Sequence, residues 1–189
     1  MSARQSTRAA AIAGRRIDAR DAEITRFPPE RAPTVKGALK KVLSERGIGF
    51  VVTSAACGAD ILALEASVEL GIRFRIILPF RRERFLVSSV VDRGADWGRR
   101  YGALLALAEA RGDVVELEAV DGDDDAAYGR ATERILEEAR VFARDHESTP
   151  MAIAVWDEQR RDGGDATMDF LESASRGGFE VLSVSTLPD

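Results

Sequence analysis

The chain has 189 residues, 45% hydrophobic and 31% charged, enough to bury a full core unaided and too ordinary in composition for disorder, collagen or a disulfide scaffold. Its 27 basic and 32 acidic residues leave a net charge of −5, against the excess of Lys and Arg that duplex nucleic-acid binders carry. With one histidine, His146, and one cysteine, Cys57, neither a Cys/His zinc site nor an internal disulfide can form, so no metal is expected, and triad hydrolysis would depend on His146 alone.

From the N-terminus, Met1 to Arg20 is rich in Arg, Ala and Ser. Its one apolar run, Ala9 to Ala13, is too short for a signal sequence or a membrane span. The expectation is a flexible stretch over residues 1–7, then one domain over 8–189, in a cytoplasmic protein that contacts neither membrane nor duplex nucleic acid. Apolar runs of strand length then alternate with segments of helical period, the signature of a layered α/β fold. Six strands are expected at Arg8–Ala13, Gly49–Ser54, Arg73–Leu78, Val114–Glu118, Met151–Trp156 and Glu180–Ser185. Helices are expected at Thr34–Arg46, Ala59–Leu70, Trp97–Ala110, Asp125–Arg144 and Ala166–Ser175, with a shorter one at Arg82–Val90. The runs Phe50-Val51-Val52, Ile76-Ile77-Leu78 and Ala152-Ile153-Ala154-Val155 are continuous rather than alternating, as in strands covered on both faces. A parallel sheet of about six strands with helices on both sides, Rossmann-like in layout, follows.

In such a sheet ligands collect beyond the carboxyl ends of the strands. After strand one comes Gly14-Arg15-Arg16-Ile17-Asp18-Ala19, and after strand two Thr53-Ser54-Ala55-Ala56-Cys57-Gly58-Ala59-Asp60. The small residues of the second loop permit close backbone approach. The helix starting near Gly58 would point unpaired N–H groups into the same space, a phosphate site, unless the run merely makes a tight turn. On that helix Ile61, Leu64 and Val68 define an apolar face, and Glu65 falls between them. An inward carboxylate is either a ligand acceptor or general acid/base, or one half of an ion pair with an arginine.

Further along, Arg81, Arg82 and Arg84 follow strand three, where guanidinium forks either face ligand phosphates or form a solvated helix face. Asp121-Gly122-Asp123-Asp124-Asp125 fails as a calcium loop, because the turn glycine would be Ala126 and the bidentate glutamate Thr132. Capping of the next helix explains these acids better. Cys57 has no histidine near it in sequence and reads as a packing residue. Trp97 and Tyr101 read as packing onto the sheet, with base stacking as the alternative. A receiver domain would need paired acids after strand one and an aspartate ending strand three; a P-loop NTPase would need Gly-Lys-Ser/Thr, and neither pattern is present.

The run Ser54 to Glu65, with Leu78-Pro79-Phe80, Phe85, Ser89 and Val90, resembles the SLOG superfamily of Rossmann-like nucleotide-binding domains. It is most similar to the branch that reads Gly-His-Met-Ile-Asp after strand one and Ala-Cys-Gly-Ala-Asp after strand two. Gly14, Ile17 and Asp18 match the first motif, whereas Arg15 and Arg16 replace its His-Met pair. Phe27-Pro28-Pro29 and Trp156-Asp157 followed by Gly163-Gly164 extend the resemblance over residues 8 to 186. It implies a pocket for a nucleotide or nucleotide-derived ligand, contacted by Gly14, Asp18, Ser54, Ala55, Gly58, Ala59, Asp60, Glu65, Arg81, Gly163, Gly164 and Thr167, with no cofactor. It also implies a sensor or signalling role, in which a homo-oligomer or fused signalling domains would be natural partners. The related Lonely Guy phosphoribohydrolases use a Pro-Gly-Gly-x-Gly-Thr loop and a glutamate, which would make Glu65 catalytic in an enzyme. Here the loop reads Gly163-Gly164-Asp165-Ala166-Thr167, without the proline or third glycine, and Asp165 sets a negative charge where phosphate should bind unless it caps the final helix. A sensor, a nucleoside-monophosphate phosphoribohydrolase and an interaction module with a vestigial pocket therefore remain as readings.

Overall fold

A computed structural model of the chain describes residues 7–118 and 124–188. Among these residues there are six strands: β1 (Arg8–Gly14), β2 (Ile48–Thr53), β3 (Arg73–Leu78), β4 (Val114–Glu116), β5 (Met151–Trp156) and β6 (Glu180–Ser185). All pair in parallel, in the order β4-β3-β2-β1-β5-β6. The helices are α1 (Ala32–Glu45), α2 (Ala59–Leu70), the single turn α3 (Arg82–Phe85), α4 (Ala95–Glu109), α5 (Asp124–Asp145) and α6 (Ala166–Arg176).

Alternation along each strand sorts the side chains into two cores. Ile12, Val51, Ile76 and Ile153 face the layer of α1, α2 and α4, while Ala11, Val52, Ile77 and Ala152 face α5 and α6. Both faces are covered, which is why the central strands read as unbroken apolar runs. The chain builds outward from β1 through β2, β3 and β4, then returns by α5 to the other side of β1. That reversal opens a crevice at the carboxyl end of the sheet.

Boundaries shift where local chemistry overrides period. The first helix starts two residues early because Pro33 sits in its opening turn, a position where a missing N–H costs nothing. The expected helix Arg82–Val90 breaks into α3, a π-turn at Leu86–Val90 and a 3-10 turn at Val91–Arg93. Its Ser89 carbonyl accepts the Cys57 amide at 3.0 Å instead of serving a helical ladder. Strand β4 stops at Glu116 instead of Glu118, where Leu117 N donates to Leu78 O and the neighbouring strand β3 itself ends. Of the three residues assigned to one apolar face of α2, Ile61 and Leu64 are fully buried but Val68 is 43% exposed. In the acidic run, Asp121, Gly122 and Asp123 lie outside the described residues, and Asp124 and Asp125 occupy the first turn of α5, where the helix dipole favours them.

Candidate functional site

The crevice is a cleft of about 310 Å³, within the usual range for small-molecule sites. Strand β1 and the residues after it supply its floor through Gly14, Arg15 and Arg16, the β2–α2 loop supplies Ser54 and Ala56, the first turn of α2 supplies Asp60, and α6 supplies Ala166 and Thr167. Tyr128, Thr132 and Ile135 come from α5, Phe85 and Ser89 from the segment after β3, and Arg161 from the β5–α6 loop.

Close backbone approach makes this floor. A Cβ on Gly14 would lie 2.2 Å from Val155 O and 2.7 Å from the Ala59 Cβ, so only glycine lets β1, β5 and α2 converge. Gly58, with φ +112°, would place a Cβ 2.7 Å from Arg15 O and Ile17 N. There the loops after β1 and β2 form a small antiparallel bridge between Arg16 and Gly58. That bridge and the bonds around it take up several of the amides expected to form a phosphate cradle at the start of α2. Ala59 N donates to Arg15 O, Ile61 N to Ala56 O and Cys57 N to Ser89 O, so these amides are committed to the chain itself.

The opening of α6 is committed as well. Asp165 is its N-cap and accepts from Thr167 N at 3.1 Å and Met168 N at 3.3 Å, while its second oxygen accepts from Arg161 N at 2.9 Å. The buried Arg15 guanidinium grips the same carboxylate through two bonds of 2.6 and 2.8 Å. It also donates to Asp157 Oδ1 at 2.7 Å and to the Gln159 carbonyl at 2.6 Å. Arg26 completes the cluster with a 2.6 Å bond to Asp157 Oδ2. Burial works against an ionised Asp165, but Arg15 and the Arg161 and Met168 amides outweigh it and hold the carboxyl at about 2. The loop implied to hold a ligand phosphate thus holds a carboxylate of its own chain.

Gly14, Ser54, Asp60 and Thr167 of the expected set meet in the cleft. Ala55 and Ala59 are buried in the core beneath it, and Gly58 serves the bridge. Asp18 does not line the cleft; its carboxylate accepts the Arg26 and Phe27 amides, both at 2.9 Å, and so closes the loop between them. Gly163 and Gly164 lie in an exposed turn off the lining. Arg81 is exposed and also off the lining, while its neighbours are used structurally. Arg82 pairs with Glu109 and Glu116, and Arg84 lies 4.4 Å over Phe80 and pairs with Asp124. Trp97 and Tyr101 are buried against the core. Cys57 is buried too, and burial pushes its thiol up against the pull of Arg16, the reverse of an activated nucleophile.

Glu65 stands apart from the cleft. It accepts two bonds from Arg100 of α4, at 2.7 and 2.8 Å, while the Arg100 guanidinium lies 4.0 Å over the Trp97 ring. The ion-pair reading of this inward carboxylate is the one the geometry matches. With both side chains 22% exposed, the pair is worth little. Glu65→Gln is therefore expected to cost about 1 kcal/mol or less of stability and to leave ligand affinity unchanged, which denaturant melts and calorimetry of the same variant would check.

Asp60 is the carboxyl the cleft does contain. Burial pushes it up to about 7 against the Ala56 amide, the neighbouring Thr53 hydroxyl and Arg16. Several residues of the site lack a strong sequence signal. Tyr128 and Thr132 share one face of α5 at helical spacing, beside the buried Ala127, Ala131 and Ile135, and Tyr128 OH bonds Ser89 Oγ at 2.7 Å. Arg161 is a single charge in a polar loop.

Among the described residues there is no group of three or more His, Cys, Asp and Glu placed to hold a metal, and no helix is long and apolar enough to cross a membrane. An all-parallel six-stranded sheet, helices on both faces and a cleft at the strand-order reversal define a Rossmann-like α/β protein. No family model and no curated protein matches the sequence. Among solved structures the chain is similar to DNA processing protein A (DprA) from Streptococcus pneumoniae, with 13% identity and a TM-score of 0.41 over 93% of this chain and 58% of that one. The chain thus spans somewhat over half the length of that protein.

Proposed function

We propose that residues 8–188 form a SLOG-type binding domain for a nucleotide or nucleotide-derived ligand, acting in the cytoplasm as a sensor or signalling module without turnover. The observation that carries this reading is the composition of the switch-point cleft. Phe85 and Ile135 offer an apolar wall for a planar body, the hydroxyls of Ser54, Thr132 and Tyr128 offer partners for a sugar, and Arg16 and Arg161 offer positive charge. Such a mixture, mostly apolar with a few convergent polar groups, suits a small amphiphilic anion. Calorimetry should show AMP, or another nucleoside monophosphate, binding with 1:1 stoichiometry, and mass spectrometry should find a nucleotide among co-purifying metabolites. A chain that binds no nucleotide in either experiment would be an interaction module with a vestigial pocket.

One observation favours the N-glycosidic hydrolase as a second reading. Asp60 is a carboxyl in the cleft able to hold a proton near neutral pH, as a general acid toward a leaving base requires. Chromatography of AMP incubated with the protein decides between the two. Free adenine that scales with protein and disappears in Asp60→Asn would establish the enzyme, whereas AMP recovered intact from a saturated complex supports the sensor.

A further inference from the structure

Around the β5–α6 loop one guanidinium has no ion pair among the described residues. Arg15 is bound to Asp157 and Asp165, and Arg26 to Asp157. Arg161 lines the cleft beside them, and its guanidinium has no ion pair or hydrogen-bond partner among the described residues. Arg161 is therefore the one of these three guanidinium groups that neither carboxylate holds. Arg16, across the cleft, is already paired with Asp92. Burial first, then the charges of Arg15 and Arg26, lower the Arg161 pKa against the opposing pull of Asp165 and Asp157.

Several of the donors that would otherwise receive an anion are bound within the chain. Asp165 occupies the leading amides of α6 and the Arg161 amide, and the bridge between Arg16 and Gly58 occupies the start of α2. What remains at the cleft is the Arg161 side chain and the unpartnered Nε of Arg16, whose charge Asp92 already offsets, with the hydroxyl-bearing Thr132 and Thr167 on the same lining. We propose that Arg161 is the anion anchor of this cleft, taking a single phosphate-type group of the ligand that Asp165 has displaced from the glycine turn. The inference rests on the nucleotide reading for the body of the ligand, but not for its anionic group. It selects phosphate monoesters over pyrophosphate-bridged nucleotides, because one unpaired guanidinium neutralises one group where a free helix terminus would have served a second.

Calorimetry of AMP, ADP and adenosine with the wild type, Arg161→Gln and Arg160→Gln provides the test. Arg160 is the control, since it removes the same charge from an exposed neighbour that does not line the cleft. AMP should bind at least tenfold more tightly than adenosine and no more weakly than ADP. Arg161→Gln should erase that preference, the loss expected of one charge-assisted contact, while Arg160→Gln keeps it. AMP bound equally by wild type and Arg161→Gln would overturn the anchor and leave the nucleotide reading standing. A parallel titration of 15N-labelled protein with inorganic phosphate separates the two claims further. A saturable shift of the Arg161 Nε resonance with phosphate, and no AMP binding by calorimetry, would uphold the anchor and sink the nucleotide reading, whereas an Arg161 Nε resonance that neither phosphate nor AMP shifts would sink the anchor.

Discussion

Arg15→Met should be the most damaging single substitution in the loops of this fold, lowering stability by roughly 3–5 kcal/mol and the melting temperature by roughly 6–20 °C. Arg15 is 3% exposed and directs three of its nitrogens at two buried carboxylates and a carbonyl. Methionine keeps much of the volume but leaves the buried Asp165 without its paired guanidinium, and leaves Asp157 with Arg26 as its only ion pair among the described residues. A buried ion pair contributes little relative to an apolar substitute, yet breaking one partner strands the other. That distinction makes the experiment specific. Asp165→Ser keeps an N-cap oxygen for α6 while removing the charge, so the double variant should cost less than the two single changes together. Strict additivity in thermal melts would mean that Arg15 and Asp165 do not depend on each other. The acid limb supplies an independent measurement. Asp165 titrates at about 2 in the folded chain, below its ordinary value of 3.8, so its contribution is present above about pH 4 and is lost as pH falls toward 2, about 2 kcal/mol in all. The gap between wild type and Arg15→Met should narrow over that window.

The same network shows what could be read from residue order and what could not. The strands were legible because central parallel strands are apolar on both faces, so runs such as Ala152 to Val155 carry their own evidence. The location of the cleft was legible as well, since it depends only on where strands end. Which side chains meet there depends on strand order. Arg15 and Asp165 are 150 positions apart and touch only because β5 returns beside β1. Before that pairing is known, Arg15 is a departure from a motif and Asp165 an unwelcome charge. Together they explain each other: the carboxylate takes the donors a ligand phosphate would have taken, and the guanidinium neutralises it. Glu65 fails as a cleft residue for a related reason. Helical period turns it inward, but its neighbour there is Arg100 of α4, which no reading of α2 alone contains. The committed amides of α2 arise in the same way, from a bridge between two loops that are distant in sequence.

Asp60→Asn should raise stability above neutral pH by on the order of 4 kcal/mol and remove most of the decline in stability that the wild type shows between about pH 4 and 7. In the unfolded chain this carboxyl ionises at its ordinary 3.8, whereas in the fold burial pushes it up to about 7 in spite of the Ala56 amide, the Thr53 hydroxyl and Arg16. Between those values the folded state holds a proton that the unfolded state has released. Stability must therefore fall as pH rises through this window, and above it the penalty of a buried anion is constant. Asparagine retains an oxygen for the Ala56 amide, which bonds Asp60 Oδ2 at 3.2 Å, and its amide can donate toward Thr53. It has no charge to desolvate. With a single histidine in the chain, few other groups titrate between pH 5 and 8, so denaturant unfolding at half-unit steps will isolate the effect. The same proton governs the cleft: an ionised Asp60 repels a phosphate held by Arg161, so AMP should bind more weakly at pH 8.5 than at pH 6.5 in the wild type and with little pH dependence in Asp60→Asn. Stability curves that superpose for the two proteins from pH 5 to 8 would place Asp60 in the ordinary carboxylate range and remove the one observation that favours hydrolysis.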